Sequence, residues 1–213
     1  MNLSSLLDML IHLDTYLSSL VQQYGVWTYA ILFLVIFLET GMIFTPFLPG
    51  DSLLFVAGTF AAQGTLNLII LMLLLILAAI LGDTVNYWIG HHLGNFITSR
   101  HLIKQDYLDR TQRFYDRHGK KTIILARFIP IIRTMAPFIA GIGKMSYPTF
   151  LTYNIIGGIA WVILFVGGGY FFGNIPYVQE NFTLFILGII VLSFLPALIE
   201  MMRHKFQKAP EHQ

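Results

Sequence analysis

Two acidic residues interrupt the first long apolar part of the chain. Glu39 follows fourteen uncharged residues, and Asp51 comes twelve positions later, after a turn that contains two prolines. The low dielectric of a bilayer penalises an ionised carboxylate, so a group held there can take up and release a proton. We therefore predict that Glu39 and Asp51 lie on opposite arms of one hairpin and couple the protein to protons. For Asp51, a role as helix N-cap after Gly50 remains an open and compatible alternative.

Two arginines form the matching basic feature of a later apolar stretch. Arg127 and Arg133 lie on either side of Pro130. On an unbroken helix their spacing would leave them about 120° apart, but the proline kinks the element, so both side chains can reach one cavity. A guanidinium stays charged and favours two-point contact with carboxylate or phosphate. Two interpretations stay open: each arginine neutralises Glu39 or Asp51 in a structural pair, or the pairs open to bind a phosphate-bearing headgroup.

Two further polar residues are secondary candidates. Asp83 lies near the cytoplasmic end of a predicted span, where it either joins the polar pathway or is an acid at the membrane surface. Asn154 precedes Gly157, Gly158 and Trp161, a pattern typical of close helix packing with an aromatic residue at the interface.

The composition shows what kind of structure must position these residues. Only 11% of the 213 residues are charged and 56% are hydrophobic, whereas a soluble domain carries roughly 25% charged residues. We therefore predict an all-α integral membrane protein. The chain has no cysteine, and its seven histidines show no metal-ligand spacing, so we expect no metal and no cofactor. A net charge of +2 gives no reason to expect a nucleic acid partner.

The basic residues indicate which parts of the chain are cytoplasmic. Residues 1–99 contain no Lys or Arg, whereas residues 100–121 contain seven basic and three acidic residues, and the C-terminal tail adds three more basic residues. By the positive-inside rule, the basic segment (91–121) and the tail (203–213) are cytoplasmic. The basic segment also suits contact with anionic lipid. Residues 1–23 carry leucines at helical spacing and are predicted to form an amphipathic helix at the interface, with no signal-peptide pattern.

Three apolar stretches are long enough for the ~20 residues of a membrane span. They are residues 66–90, 147–173 and 181–202. Two more stretches, 25–63 and 122–143, are interrupted by residues that stop or kink a helix. These hairpin-shaping residues are Pro46, Pro49 and Gly50 in the first stretch and Pro130 and Pro137 in the second.

The number of crossings predicts how the two interrupted stretches lie. Spans 147–173 and 181–202 return the chain to the cytoplasm, so residues 122–143 must enter and leave on that side as a re-entrant hairpin. Span 66–90 crosses once, which places the 25–63 hairpin on the opposite face. Two such hairpins form an inverted repeat, an arrangement that puts substrate sites near the bilayer midplane.

These motifs together resemble the DedA family of bacterial membrane proteins, also described by a SNARE-associated or VTT domain. The resemblance covers residues 24–205. It rests on Glu39-Thr40-Gly41, Phe47-Leu48-Pro49-Gly50-Asp51-Ser52, Gly82-Asp83 with Tyr87, Ala126-Arg127-Phe128-Ile129-Pro130 with Arg133, Pro137, Ala140-Gly141, Met145, and Asn154 to Trp161. The tract around Asp51 is especially similar to the namesake branch.

The resemblance implies a multi-pass protein of the bacterial inner membrane that transports lipid by means of the proton-motive force. Its implied substrates are undecaprenyl phosphate or a phospholipid. It also implies that Glu39, Asp51, Arg127 and Arg133 match functionally essential residues. The leading hypothesis is therefore a proton-coupled translocator of a lipid-linked phosphate, in which the arginines bind phosphate and the acids exchange their arginine partners for protons. Membrane lipids and protons are its expected partners, and a homo-oligomer is compatible with it.

Three other classes of function remain. The same carboxylates would suit a proton-coupled exchanger of small ions or drugs. A lipid-phosphate enzyme is less favoured, because the four histidines of residues 91–118 lie in the polar segment rather than at membrane depth. A purely structural scaffold gives no reason to keep Glu39 and Arg127 in the bilayer. We therefore expect a transporter and not an enzyme.

Overall fold

The computed structural model describes residues 23–42, 50–100, 105–181, 184–185 and 187–189, and these residues contain helices and no β-strand. The predicted all-helical class is confirmed for this part of the chain. In chain order the helices are α1 (Val26–Gly41), α2 (Gly50–Ala62), α3 (Leu68–Ser99), α4 (Gln105–His118), a 3-10 turn (Gly119–Lys121), α5 (Thr122–Ala126), α6 (Pro130–Ile142), α7 (Tyr147–Val162), a π turn (Ile163–Gly167), α8 (Gly168–Gly173) and α9 (Pro176–Glu180).

Two continuous helical stretches are long and apolar enough to cross a membrane. They are Leu68–Gly94 within α3 and Tyr147–Gly173, which runs through α7, the π turn and α8. Both coincide with predicted spans. The first is held at its start by Asn67, whose side-chain oxygen accepts hydrogen bonds from the N–H groups of Ile69 and Ile70. Helix α3 continues to Ser99, into the segment predicted as cytoplasmic. The predicted N-terminal helix and most of the predicted span 181–202 lie outside the described residues.

The outward face of α3 is apolar. Its exposed side chains recur every three or four residues, which is the spacing of one helical face. They are Ile69, Ile70, Leu73, Leu77, Leu81, Val85 and Trp88. A stripe of this length exposed on the surface is the opposite of a soluble protein's pattern, so lipid is the solvent of this face.

Two pairs of shorter helices occupy the interrupted stretches. Helices α1 and α2 have 16 and 13 residues and α6 has 13, fewer than a full crossing needs. Their lengths suit the predicted hairpins, while the membrane face from which each pair enters stays a prediction. Pro46 and Pro49 lie outside the described residues. Pro130 does not kink a continuous helix, because it is the first residue of α6, a position that needs no backbone N–H. Pro137 was expected to shape the hairpin, yet α6 continues through it to Ile142.

In each pair, one helix packs on the first long stretch and the other helix packs on the second. Helix α1 packs on α3, whereas α2 packs on the π turn and α8; helix α6 packs on α3, whereas α5 packs on α7. Glycines allow these helices to approach closely. A Cβ atom at Gly82 would lie 1.9 Å from Thr40 Oγ1, at Gly90 2.1 Å from the Phe138 carbonyl oxygen, and at Gly169 1.9 Å from the Phe55 carbonyl oxygen. Each pair therefore contacts both long helical stretches, while the inverted repeat of re-entrant hairpins stays a prediction.

Candidate functional site

Charged side chains lie in the interior, where the two helix pairs meet the spans. Glu39, Asp83 and Arg127 are at most 3% exposed and Arg133 is 7% exposed. The Asp51 side chain differs, because 38% of it is exposed. An unpaired charge at such depth costs several kcal/mol, so the partners of each group decide whether the site is stable.

The first cluster consists of Arg133 held between two acids. Its Nη1 donates a hydrogen bond to Asp51 Oδ1 at 2.7 Å, and its Nη2 donates to Glu39 Oε1. The two acids come from different helices, α1 and α2, so one guanidinium on α6 ties both arms of the first pair to the second pair. We call Glu39, Asp51 and Arg133 the first cluster. The two carboxylates therefore lie on different helices, as predicted, and meet at one guanidinium.

The backbone at the start of α2 is shaped around Glu39. The Gly50 N–H donates to Glu39 Oε1 at 3.2 Å, and a Cβ atom on Gly50 would lie 1.7 Å from Glu39 Oε2. Only glycine leaves room for the carboxylate here. Because α2 begins at Gly50, Asp51 lies inside the first turn rather than at an N-cap, and the hydrogen bonds to its Oδ1 come from Arg133 and Trp161.

The second cluster surrounds Arg127, the C-cap residue of α5. Arg127 Nη2 donates to Asp83 Oδ2 and to Asn154 Oδ1, each at 2.5 Å, and Asn154 Nδ2 donates to the Ile80 carbonyl oxygen at 3.0 Å. We call Asp83, Arg127 and Asn154 the second cluster. A Cβ atom at Gly157 would lie 3.1 Å from Arg127 Cδ and Nε, so this glycine makes space for the arginine.

These contacts correct three sequence interpretations. Arg127 pairs with Asp83, not with Glu39 or Asp51 as a structural pair was expected to do. Asp83 is buried against Arg127 and is not an acid at the membrane surface. Asn154 does more than allow close packing, because its amide binds the guanidinium. The sequence identifies Arg127 as a charge in apolar surroundings, and the structure buries it, but the sequence leaves its partner open.

Trp161 lies between the two clusters and was missed as a site residue. It is fully buried, so its interpretation as an interfacial aromatic was wrong. Its Nε1 donates to Asp51 Oδ1 at 2.8 Å, and its ring centroid lies 5.1 Å from Arg133 Cζ and 5.8 Å from Arg127 Cζ. Both distances are within the range of cation–π contact. Trp161 follows Asn154 by seven residues, two helical turns, and that spacing places both on one face of α7.

Asn86 fixes the distance between the helices that carry the first cluster. Its Nδ2 donates to the carbonyl oxygens of Thr40, at 3.3 Å, and Thr134, at 2.8 Å. These two residues directly follow Glu39 and Arg133. The fully buried amide on α3 therefore holds α1 and α6 in the register that lets the acid and the arginine meet.

The two clusters together carry more acid than base. Three carboxylates face two guanidiniums, a formal charge of −3 + 2 = −1 when all are ionised. Within the described part of the chain, Glu39 Oε2, Asp83 Oδ1 and the Nε and Nη1 groups of Arg127 have no hydrogen-bond partner. Buried polar groups normally have one. The Nε and Nη1 groups of Arg127 are therefore donors without a protein acceptor, while its Nη2 is held by Asp83 and Asn154.

The three histidines in the described part of the chain, His91, His92 and His118, are not members of these clusters. His91 and His92 are exposed near the end of α3, where they stack on Tyr87 and Trp88. In the described part of the chain, no three histidine or acidic side chains are arranged to hold a metal ion.

Similarities to known proteins agree with this picture of a membrane protein. Residues 48–171 match the VTT domain family. The chain is 56% identical over 205 residues to Protein DedA of Escherichia coli (strain K12), with 94% of each chain covered. It is 45% identical over 168 residues to an uncharacterized membrane protein of Mycobacterium leprae (78% of this chain, 75% of that one). It is also 36% identical over 151 residues to inner membrane protein YqjA of Escherichia coli (strain K12), covering 70% of this chain and 69% of that one. No solved structure matches the chain.

Proposed function

This chain belongs to the DedA family of VTT-domain membrane proteins, and we propose that it is a proton-coupled transporter of a lipid-linked phosphate, undecaprenyl phosphate or a phospholipid. We place it in the bacterial inner membrane with its C-terminus in the cytoplasm. The observation that carries the proposal is the sharing of buried Arg133 between Glu39 and Asp51 from the two arms of one helix pair. A guanidinium held by two carboxylates can be released to a substrate anion when those carboxylates are protonated.

The arginines suit a phosphate in both charge and shape. A guanidinium offers parallel N–H donors that match two phosphate oxygens, and the pair is strongest where water is excluded. Arg127 Nε and Nη1 have no protein acceptor in the described part of the chain, and Arg133 donates through Nη1 and Nη2 to carboxylates. A phosphate that enters beside the partly exposed Asp51 and replaces the acids on Arg133 would then be bound by both arginines.

Protons neutralise the carboxylates that the phosphate displaces from Arg133. When phosphate takes Arg133, Glu39 and Asp51 lose their counter-ion, and an ionised carboxylate left at this depth is unfavourable by several kcal/mol. Proton uptake removes that penalty. Asp51 is the accessible member of the first cluster, so we assign it the role of the first acid to exchange its proton. Glu39 is buried against Gly50, so we assign it the second proton exchange, which takes place when the site opens.

The test is lipid movement in proteoliposomes under an imposed proton gradient, followed for undecaprenyl phosphate and for a fluorescent phospholipid. Arg133→Lys keeps the charge but loses the fork of donors, and we expect it to lower the rate of movement by about 100-fold, from losing 2–3 kcal/mol of charged hydrogen bonding. Arg110→Lys makes the same change in an exposed ion pair on α4 and serves as the control at the wild-type rate.

Three outcomes would replace the proposal. Wild-type vesicles that move neither lipid under a gradient would contradict it. Glu39-dependent proton flux that requires a soluble cation or drug would instead assign the small-ion or drug exchanger. Release of inorganic phosphate from the lipid would assign an enzyme.

A further inference from the structure

The span Tyr147–Gly173 connects the two helix pairs. Helix α5, which ends beside Arg127, packs on α7, whereas α2, which carries Asp51, packs on the π turn and α8. Trp161 is located near the end of α7, two residues before the π turn. Single π turns within long helices are frequent at functional sites, because they locally loosen the helical ladder. Trp161 is therefore at the point where one helix changes from contacting the second pair to contacting the first.

The contacts of Trp161 reach both clusters at once. Its N–H binds Asp51 Oδ1, the same oxygen that accepts the hydrogen bond from Arg133. Its ring lies within cation–π distance of both arginines. The π electrons therefore attract both guanidiniums, while the N–H stabilises the acid that neutralises one of them. Phenylalanine supplies only the first of these interactions.

We propose that Trp161 is the positioning residue that couples the two clusters. A change in the Asp51–Arg133 pair then alters the position of the Arg127 side chain, and a change at Arg127 alters the Asp51–Arg133 pair. As a step in transport this rests on the proposed function. When a phosphate draws Arg133 away from Asp51, the indole N–H remains on the Asp51 carboxylate until a proton arrives. The loss of the Arg133 contact frees the indole to shift against Arg127, which changes how that arginine meets the phosphate.

The first test needs no ligand. The chain contains three tryptophans, so Trp27→Phe with Trp88→Phe leaves Trp161 as the only one. In this background Asp83→Asn removes the ionic partner of Arg127 without touching Trp161, and we expect a shift in the Trp161 emission maximum and intensity. Asp109→Asn, on exposed α4, is the matched control and should leave the spectrum unchanged. Coupling is overturned if Asp83→Asn has no effect while Asp51→Asn, which removes the charge of the indole's direct acceptor, has one.

The second test measures transport in proteoliposomes. Trp161→Phe removes a hydrogen bond that stabilises the closed Asp51–Arg133 pair more than the phosphate-bound state, in which Asp51 is protonated. We therefore expect the KM for the lipid phosphate to fall by about tenfold and kcat to fall with it, because the phosphate is then released more slowly. Trp88→Phe should change neither. A purely structural role would raise KM and lower the melting temperature, and that result would overturn the proposal.

A binding experiment distinguishes a lipid phosphate from inorganic phosphate. It also distinguishes failure of the proposed function from failure of the coupling role of Trp161. Dodecyl phosphate should shift Trp161 emission in the single-tryptophan protein at concentrations where inorganic phosphate does not. An equal response to inorganic phosphate would overturn the assignment to a lipid headgroup. If no phosphate binds to the wild-type protein, the proposed function fails, while the spectra of Asp83→Asn still decide whether Trp161 couples the clusters.

Discussion

The two buried clusters differ in composition and in access, although each is built around one arginine. The first has two acids on one guanidinium, and one of those acids, Asp51, is partly exposed. The second has one acid and one amide on its guanidinium, and both members of its ion pair are at most 3% exposed. A cluster with surplus acid and an open side can exchange protons and partners. A closed and balanced cluster is better suited to hold its arginine in place.

This comparison predicts that the largest loss of stability follows from removing the arginine of the first cluster. Arg133→Gln leaves Glu39 and Asp51 facing each other without a counter-ion, and we expect the free energy of unfolding to fall by about 5 kcal/mol. Thermal unfolding in detergent measures it. Adding Glu39→Gln to Arg133→Gln should restore part of the loss, because it removes the more buried of the two charges. A double variant no more stable than the single one would show that the acids do not repel each other there.

The closed cluster should respond to loss of its acid mainly in stability. Asp83→Asn leaves a buried guanidinium with amide partners only, at an expected cost of about 3 kcal/mol. Asp106→Asn, in an exposed ion pair with Arg110, is the control and should cost less than about 1 kcal/mol. Denaturation of both variants under the same conditions gives the difference. Equal costs would mean that Arg127 does not depend on Asp83.

The space that Gly50 leaves for the Glu39 carboxylate is a further feature of the first cluster that can be tested. Gly50→Ala places a Cβ atom where Glu39 Oε2 lies, and we expect a loss of about 2 kcal/mol together with slower transport. Gly167→Ala, in the π turn, meets no atom within 4 Å and is the matched control. Comparable losses in the two variants would show that helix propensity, and not the Glu39 carboxylate, sets the effect.

The smallest expected effect on stability belongs to the most accessible acid. Asp51→Asn should lower the free energy of unfolding by less than about 1 kcal/mol, because water already reaches this side chain. The same change should nearly abolish proton-driven transport. Melting curves and transport rates measured on one preparation separate the two quantities. A large loss of stability with normal transport in Asp51→Asn would contradict this assignment, because Asp51 would then serve stability, the role that we assign to Asp83.

The sequence predicts much of the first cluster. Glu39 and Asp51 stand out as acids in apolar surroundings, and the proline-containing turn between them implies two arms. The lengths of 66–90 and 147–173 likewise predict the two helical stretches that are long and apolar enough to cross a membrane. These inferences hold because burying a charge and spanning a bilayer both impose strong constraints on a sequence.

The second cluster could not be predicted in the same way. Whether Asp83 points inward or to the surface depends on the rotation of α3 about its axis, and an apolar helix with lipid on one side leaves that rotation weakly specified by composition. The same holds for Trp161, since tryptophan is common at membrane interfaces. Packing decides both cases: Gly157 and Gly158 bring α7 close to Arg127, and this approach turns Asn154 and Trp161 toward the charges.

The most direct measurement of the central claim is proton uptake on binding of a lipid phosphate. Dodecyl phosphate is added to the purified protein in weak buffer, and the same addition to Arg133→Lys is subtracted to remove the titration of the ligand. We expect net proton uptake when the phosphate binds, and we expect it to be lost in Asp51→Asn with Glu39→Gln. Binding of the phosphate without any proton uptake would contradict it.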